Sequence, residues 1–105
     1  MEISDVQLKG SYLQVFDDRG KKISELSSSH GDLCGIASDF YVVEKGSYYV
    51  TYDANSKKIA EISMSHGEFR NASGSTFNLI KGSYIVSYDV MNVVKKLERG
   101  IFNFV

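Results

Sequence analysis

The chain has no proline, no tryptophan and one cysteine among 105 residues. A single cysteine excludes an intrachain disulfide, and Cys34 reads as a small buried hydrophobe rather than a reactive thiol. Charge of one sign is also missing. Lys and Arg number 12 against 13 Asp and Glu, so the formal net charge is −1. That balance argues against nucleic acid or an anionic membrane as a partner. No apolar run approaches the roughly 18 residues of a membrane helix. The opening MEISDVQLKG has no basic and no apolar leader segment, which makes a cytoplasmic location the expectation. No Ser-His-Asp order, phosphate loop, dinucleotide fingerprint or His-Glu-x-x-His motif occurs, so neither catalysis nor a cofactor is expected. No window holds a 3.6-residue period between caps, so no helix is expected.

What is present is repetition. KGSYLQVFD (Lys9 to Asp17) returns as KGSYYVTYD (Lys45 to Asp53) and as KGSYIVSYD (Lys81 to Asp89), each 36 residues after the last. At the same offset KKISELSSSHGDL lies over KKIAEISMSHGEF with eight of thirteen positions identical, so one unit is being rewritten. Each unit reads as four short strands. FYVVE and SYYVTYD carry β-branched and aromatic residues. Lys-Gly marks a tight hairpin between them, and DDRG or DANS marks the next turn. KKISEL and KKIAEI supply a charged strand, SHG a further turn, and DLCGIAS or EFRNASG a strand of small residues. The chain reads as one domain of three units, about 1–30, 31–66 and 67–105.

The order in GIASDFYVVEKGSYYVTYDANSKKIAEI resembles a blade of quinoprotein-type and WD-type β-propellers, though no Trp-Asp pair is present. Apolar residues on both faces of the tyrosine strand fit a blade between two neighbours. Gly35, Ala37, Ala72, Ser73 and Gly74 fit a crowded innermost strand. The resemblance implies three blades per chain, and three are too few for a ring of four to eight. The expectation is a homodimer forming a six-bladed ring. The strand Ile101–Val105 would complete the first unit of its own or a partner chain. The alternative is a β-trefoil, for which three repeats are the right number and to whose Gly-x-Tyr-Leu phrase GSYLQVFDDRGKKI is also similar.

Six residues are candidate ligand contacts. His30 and His66 occupy equivalent SHG positions, where metal or acid–base chemistry competes with a simple turn role; the turn is favoured and no metal is expected. Asp17, Asp53 and Asp89 end the tyrosine strands, where a carboxylate binds a ligand or secures the following turn. Tyr49 stands where the other copies have Leu13 and Ile85, and so breaks the symmetry. Tyr12, Tyr48 and Tyr84 read as filling between blades with their hydroxyls reaching the rim. The Lys-Lys pairs at 21–22, 57–58 and 95–96 read as guards on an edge strand. The functional expectation is a non-enzymatic binding module with a face for a protein partner. The alternative is lectin-like binding of a glycan or small polar ligand at symmetric sites.

Overall fold

Lys-Gly-Ser-Tyr recurs where the chain must reverse, and in the computed structural model each copy does so through two loop residues. Lys45 pairs with Tyr48, which leaves Gly46 and Ser47 as the loop. Gly46 has φ 60°. Glycine at the first central position is what a type II′ hairpin demands, and the twist of that turn matches the strands it joins. The structure describes residues 2–90 and the backbone of Lys95–Ile101.

Three antiparallel sheets follow one another along the chain. The first is β1 (Asp5–Lys9), β2 (Tyr12–Phe16) and β3 (Lys22–Ser27). The second is β4 (Asp32–Ile36), β5 (Phe40–Lys45), β6 (Tyr48–Asp53) and β7 (Lys58–Ser63). The third is β8 (Glu68–Ser73), β9 (Thr76–Lys81), β10 (Tyr84–Asp89) and β11 (Lys95–Ile101). The all-β expectation holds. No α-helix occurs among the described residues, but Ser28–His30 and Met64–His66 each form a turn of 3-10 helix where a plain turn was expected. The reason is a serine cap. Ser27 and Ser63 accept the backbone N–H of Ser29 and Ser65, which satisfies a donor at the start of each helical turn.

The sheets stack through two apolar junctions. In the second sheet Tyr41, Val43, Val50 and Tyr52 meet Val6, Leu13, Val15 and Leu26 of the first. Phe40, Val42 and Tyr49 point the other way, onto Phe77, Leu79, Val86 and Tyr88 of the third. Alternation along a strand sends neighbours to opposite faces, so a strand buried on both sides must be apolar at consecutive positions. FYVV in β5 is that case, and Phe40, Tyr41, Val42 and Val43 are all buried. Where the first sheet has no neighbour the same positions turn polar: Asp5, Gln7 and Gln14 stand in place of Tyr41, Val43 and Val50.

The small-residue strands β4 and β8 lie beside each other. A Cβ on Gly35 would sit 2.5 Å from the Phe69 ring, so glycine there lets that ring close over β4. Backbone bonds also cross between sheets, from Ile3 N–H to Ser38 O and from Asp39 N–H to Gly74 O. The expected role of Ile101–Val105 in completing the first unit falls on 102–105, outside the described residues. Ile101 itself ends β11, opposite Tyr84.

Candidate functional site

The three Lys-Gly-Ser-Tyr hairpins, one from each sheet, stand along one side of the stack. Ser28 N–H bonds Ser11 O at 2.8 Å, and Met64 N–H bonds Ser47 O at 2.8 Å, which lays each 3-10 turn against the hairpin of its own sheet. The next hairpin then reaches back to that turn. Lys45 Nζ donates to Ser29 O at 2.7 Å, and Lys81 Nζ donates to Ser65 O at 2.8 Å.

On this rim Tyr12, Tyr48 and Tyr84 are 45%, 46% and 51% exposed, and Leu8 beside them is 64% exposed. This corrects the expectation that these tyrosines fill space between sheets. Tyr48 shares a face with Val50 and Tyr52, which are buried. It differs in being the first residue past the loop. Sheets cover each other at their centres, and a ring at the mouth of a hairpin lies beyond the neighbour's reach.

Tyr49, one residue on, points the other way and is only 4% exposed. Its hydroxyl donates to Gly67 O at 2.9 Å and accepts the Phe69 N–H at 3.0 Å. Both capacities of the phenol are thus spent inside the protein, and burial holds its pKa above the ordinary value. Tyr49, a candidate ligand contact in the sequence, is thus committed to its own neighbours. It is a tie between the second and third sheets.

The aspartates end their strands as expected. Asp17 Oδ1 accepts the N–H groups of Arg19 and Lys21 at 2.9 Å each. The Lys21 bond is the leading reason that the Asp17 carboxyl lies below its ordinary pKa. Asp53 Oδ1 accepts from Asn55 and Lys57 at 2.9 and 3.0 Å. Asp89 is half-buried at the end of β10, opposite Thr76 and Lys95. One oxygen of Asp17 and one of Asp53 therefore serve the turns. Asp17 also lines an open cleft of about 330 Å³ with Lys21, Lys22, Ile23 and Asn55. Two of these groups are already committed: Asp17 to its turn, and Lys22 to Glu25 at 2.6 Å.

His30 and His66 are held alike at different junctions. Each Nδ1 lies 3.1 Å from a carbonyl, Ser27 O and Ser63 O respectively. A carbonyl only accepts, so Nδ1 carries the proton. The rings meet Tyr52 and Tyr88 edge-on, with centroids 6.3 Å apart in both cases. Among the described residues no three His, Cys, Asp or Glu side chains gather as metal ligands. Cys34 is half-buried, and burial together with the Glu44 carboxylate pushes its thiol pKa up to about 12, far from the range of a reactive thiolate. No helix among the described residues is long and apolar enough to cross a membrane.

The structure therefore brings together on the rim three tyrosines about half exposed, each with the serine and lysine of its hairpin. The signal for them was in the sequence, since Tyr directly follows the two loop residues in every copy. No family model, no curated protein and no solved structure matches this chain.

Proposed function

We propose that the chain is a non-enzymatic binding module whose contact surface is the rim of Lys-Gly-Ser-Tyr hairpins. The observation that carries this is the division of the tyrosines. Tyr12, Tyr48 and Tyr84 are exposed at equivalent positions while Tyr41, Tyr49, Tyr52 and Tyr88 are buried. Exposed aromatic rings of this kind are common anchors for partners. Leu8, paired with Leu13 on the inner face of the first sheet, adds an exposed apolar group to the rim, which favours a protein partner there as a second reading.

The sheets are blades in this proposal, and two chains close a six-bladed ring. In support, every sheet is a meander in chain order, and the sheets stack face to face with the outer face of the first sheet left open. A β-trefoil is the alternative architecture. The free face of the first sheet bears Asp5, Gln7 and Gln14, so contact between chains is richer in amides than the junctions within a chain. Light scattering at micromolar concentration separates the two, since a dimer mass supports the ring and a monomer mass supports the trefoil.

The rim is tested by immobilising the parent and the Tyr12→Ser/Tyr48→Ser/Tyr84→Ser variant and comparing what each retains from a cell extract. A ligand held by the parent and lost by the variant, at equal melting temperature, supports the proposal. Equal retention by both contradicts it.

A further inference from the structure

The rim is periodic, and its period carries chemical information. Each hairpin presents the same groups in the same order: a lysine, a serine and a tyrosine ring. The hairpins belong to stacked sheets, which lie roughly 10 Å apart. A polymer of one small unit offers a repeat of this kind along its whole length. The charges around the tyrosines narrow the class further. Lys9, Lys45 and Lys81 are exposed, and so are Asp32, Glu44 and Glu68. Asp32 and Glu44 face each other in the register, Glu68 pairs beside Lys81, and Glu44 adjoins Lys45. Among the described residues these three cations and three anions balance, which favours neither a polyanion nor a polycation.

Resting on the rim reading, we infer that the ligand is an uncharged polysaccharide lying across the three hairpins. A sugar ring has an apolar C–H face that stacks on tyrosine and an edge of hydroxyls that bond Ser, Tyr and Lys groups. One hairpin alone gives a weak contact. Three in a row on one rigid stack raise the effective concentration of each next unit, so affinity grows with the length of the polymer.

The test is affinity electrophoresis followed by titration calorimetry, with laminarin, xylan, galactomannan and hydroxyethyl cellulose as uncharged probes and heparin and polygalacturonate as charged ones. At least one uncharged probe is expected to retard the protein. Its free monosaccharide should bind about 100-fold more weakly or not measurably. Each single Tyr→Ser change at 12, 48 or 84 should weaken binding by about 5-fold, and the triple change by about 100-fold. The triple Tyr→Phe variant should keep most of the affinity because the ring remains, and it guards against a folding defect. Retardation by none of the uncharged probes, by the charged ones alone, or equally for parent and triple-Ser variant overturns the inference. If no polysaccharide binds but a protein is held by the parent and lost by the triple-Ser variant, the polysaccharide is wrong and the rim reading stands.

Discussion

The two sheet junctions are built alike in their apolar cores and differ in where a tyrosine hydroxyl ties them. At the first junction Tyr41 Oη lies 2.7 Å from Ser56 Oγ, which lies 2.8 Å from Ser24 Oγ. Ser24 donates to Ala54 O at 2.6 Å, so the hydrogens run from Tyr41 through both serines to that carbonyl. At the second junction Phe77 replaces Tyr41 and Ala60 replaces Ser24, and this relay has no counterpart there. The tie moves instead to Tyr49, which clamps Gly67 and Phe69 near the hairpin end. Leu13, the equivalent of Tyr49 at the first junction, has no hydroxyl to offer. Repeated positions thus set the stacking, and among the described residues positions that break the repeat add a tyrosine tie at each junction. Such ties fix how far one sheet slides on the next, which apolar packing alone leaves loosely specified.

The largest expected effect removes packing without regard to ties. Tyr41→Ala and Phe77→Ala each empty a fully buried aromatic site that stacks on a cross-strand tyrosine, Tyr52 or Tyr88. Each should cost about 3–5 kcal/mol by urea unfolding. Tyr41→Ala also removes the hydroxyl relay, so equivalent cores predict a loss about 1 kcal/mol larger there than at Phe77. A loss under about 1 kcal/mol at either site would show that it is not packed as described.

The next contrast concerns glycines where the chain leaves one sheet for the next. Gly31 and Gly67 have φ of 135° and 144° with ψ near 180°, a region open almost only to glycine. A Cβ would also lie 2.5 Å from Glu44 O at Gly31 and 2.8 Å from Ile80 O at Gly67. Alanine at either position should cost at least about 1–3 kcal/mol. Gly67→Ala should be the worse of the two, because Gly67 O also holds the Tyr49 hydroxyl. Gly46→Val and Gly82→Val meet open space and suffer only from positive φ, so they should lose less. Melting curves of the four variants rank them, and a milder Gly67→Ala than Gly46→Val would break the account.

The ties themselves come next. Tyr49→Phe leaves a buried carbonyl and a backbone N–H without their partner and should cost about 1–3 kcal/mol. Tyr41→Phe should cost about 1 kcal/mol, because Ser56 keeps Ser24 as a partner. Reversal of that order would place the stronger tie at the first junction.

The smallest effect is a pH dependence. Burial pushes the Tyr41 phenol up to about 12 from an ordinary 10.0. A folded-state pKa above the unfolded one gives stability that is complete below pH 10 and is lost as pH rises through about 12. Tyr49 is shifted in the same direction, again chiefly by burial. Unfolding free energies at about pH 8 and about pH 11 should therefore fall with pH in the parent and fall less in Tyr41→Phe. An identical drop in the two would show that this phenol is not buried.

Much of the architecture was legible because its cause is local. Gly46 and Gly82 announce hairpins by the backbone they require, and FYVV announces a strand covered on both sides. Asp17 and Asp53 were read as securing turns, and they accept the N–H groups that this role predicts. The tyrosines were misread for a reason that sequence alone does not reach. Alternation tells which face a side chain takes, and it correctly put Tyr48 with Tyr52 and Tyr49 opposite them. It does not tell how far along a strand the neighbouring sheet extends, and that overlap decides between Tyr48 outside and Tyr52 inside. Symmetry also misled at Tyr49. A residue that departs from its copies suggested a ligand contact, yet here it marks a tie between sheets.

The division of the seven tyrosines is the central claim, and nitration with tetranitromethane followed by peptide mass mapping tests it directly. Under native conditions Tyr12, Tyr48 and Tyr84 should be nitrated, while Tyr41, Tyr49, Tyr52 and Tyr88 stay protected until the protein is unfolded. Early nitration of Tyr49, or protection of Tyr12, Tyr48 and Tyr84 in the free protein, would contradict it.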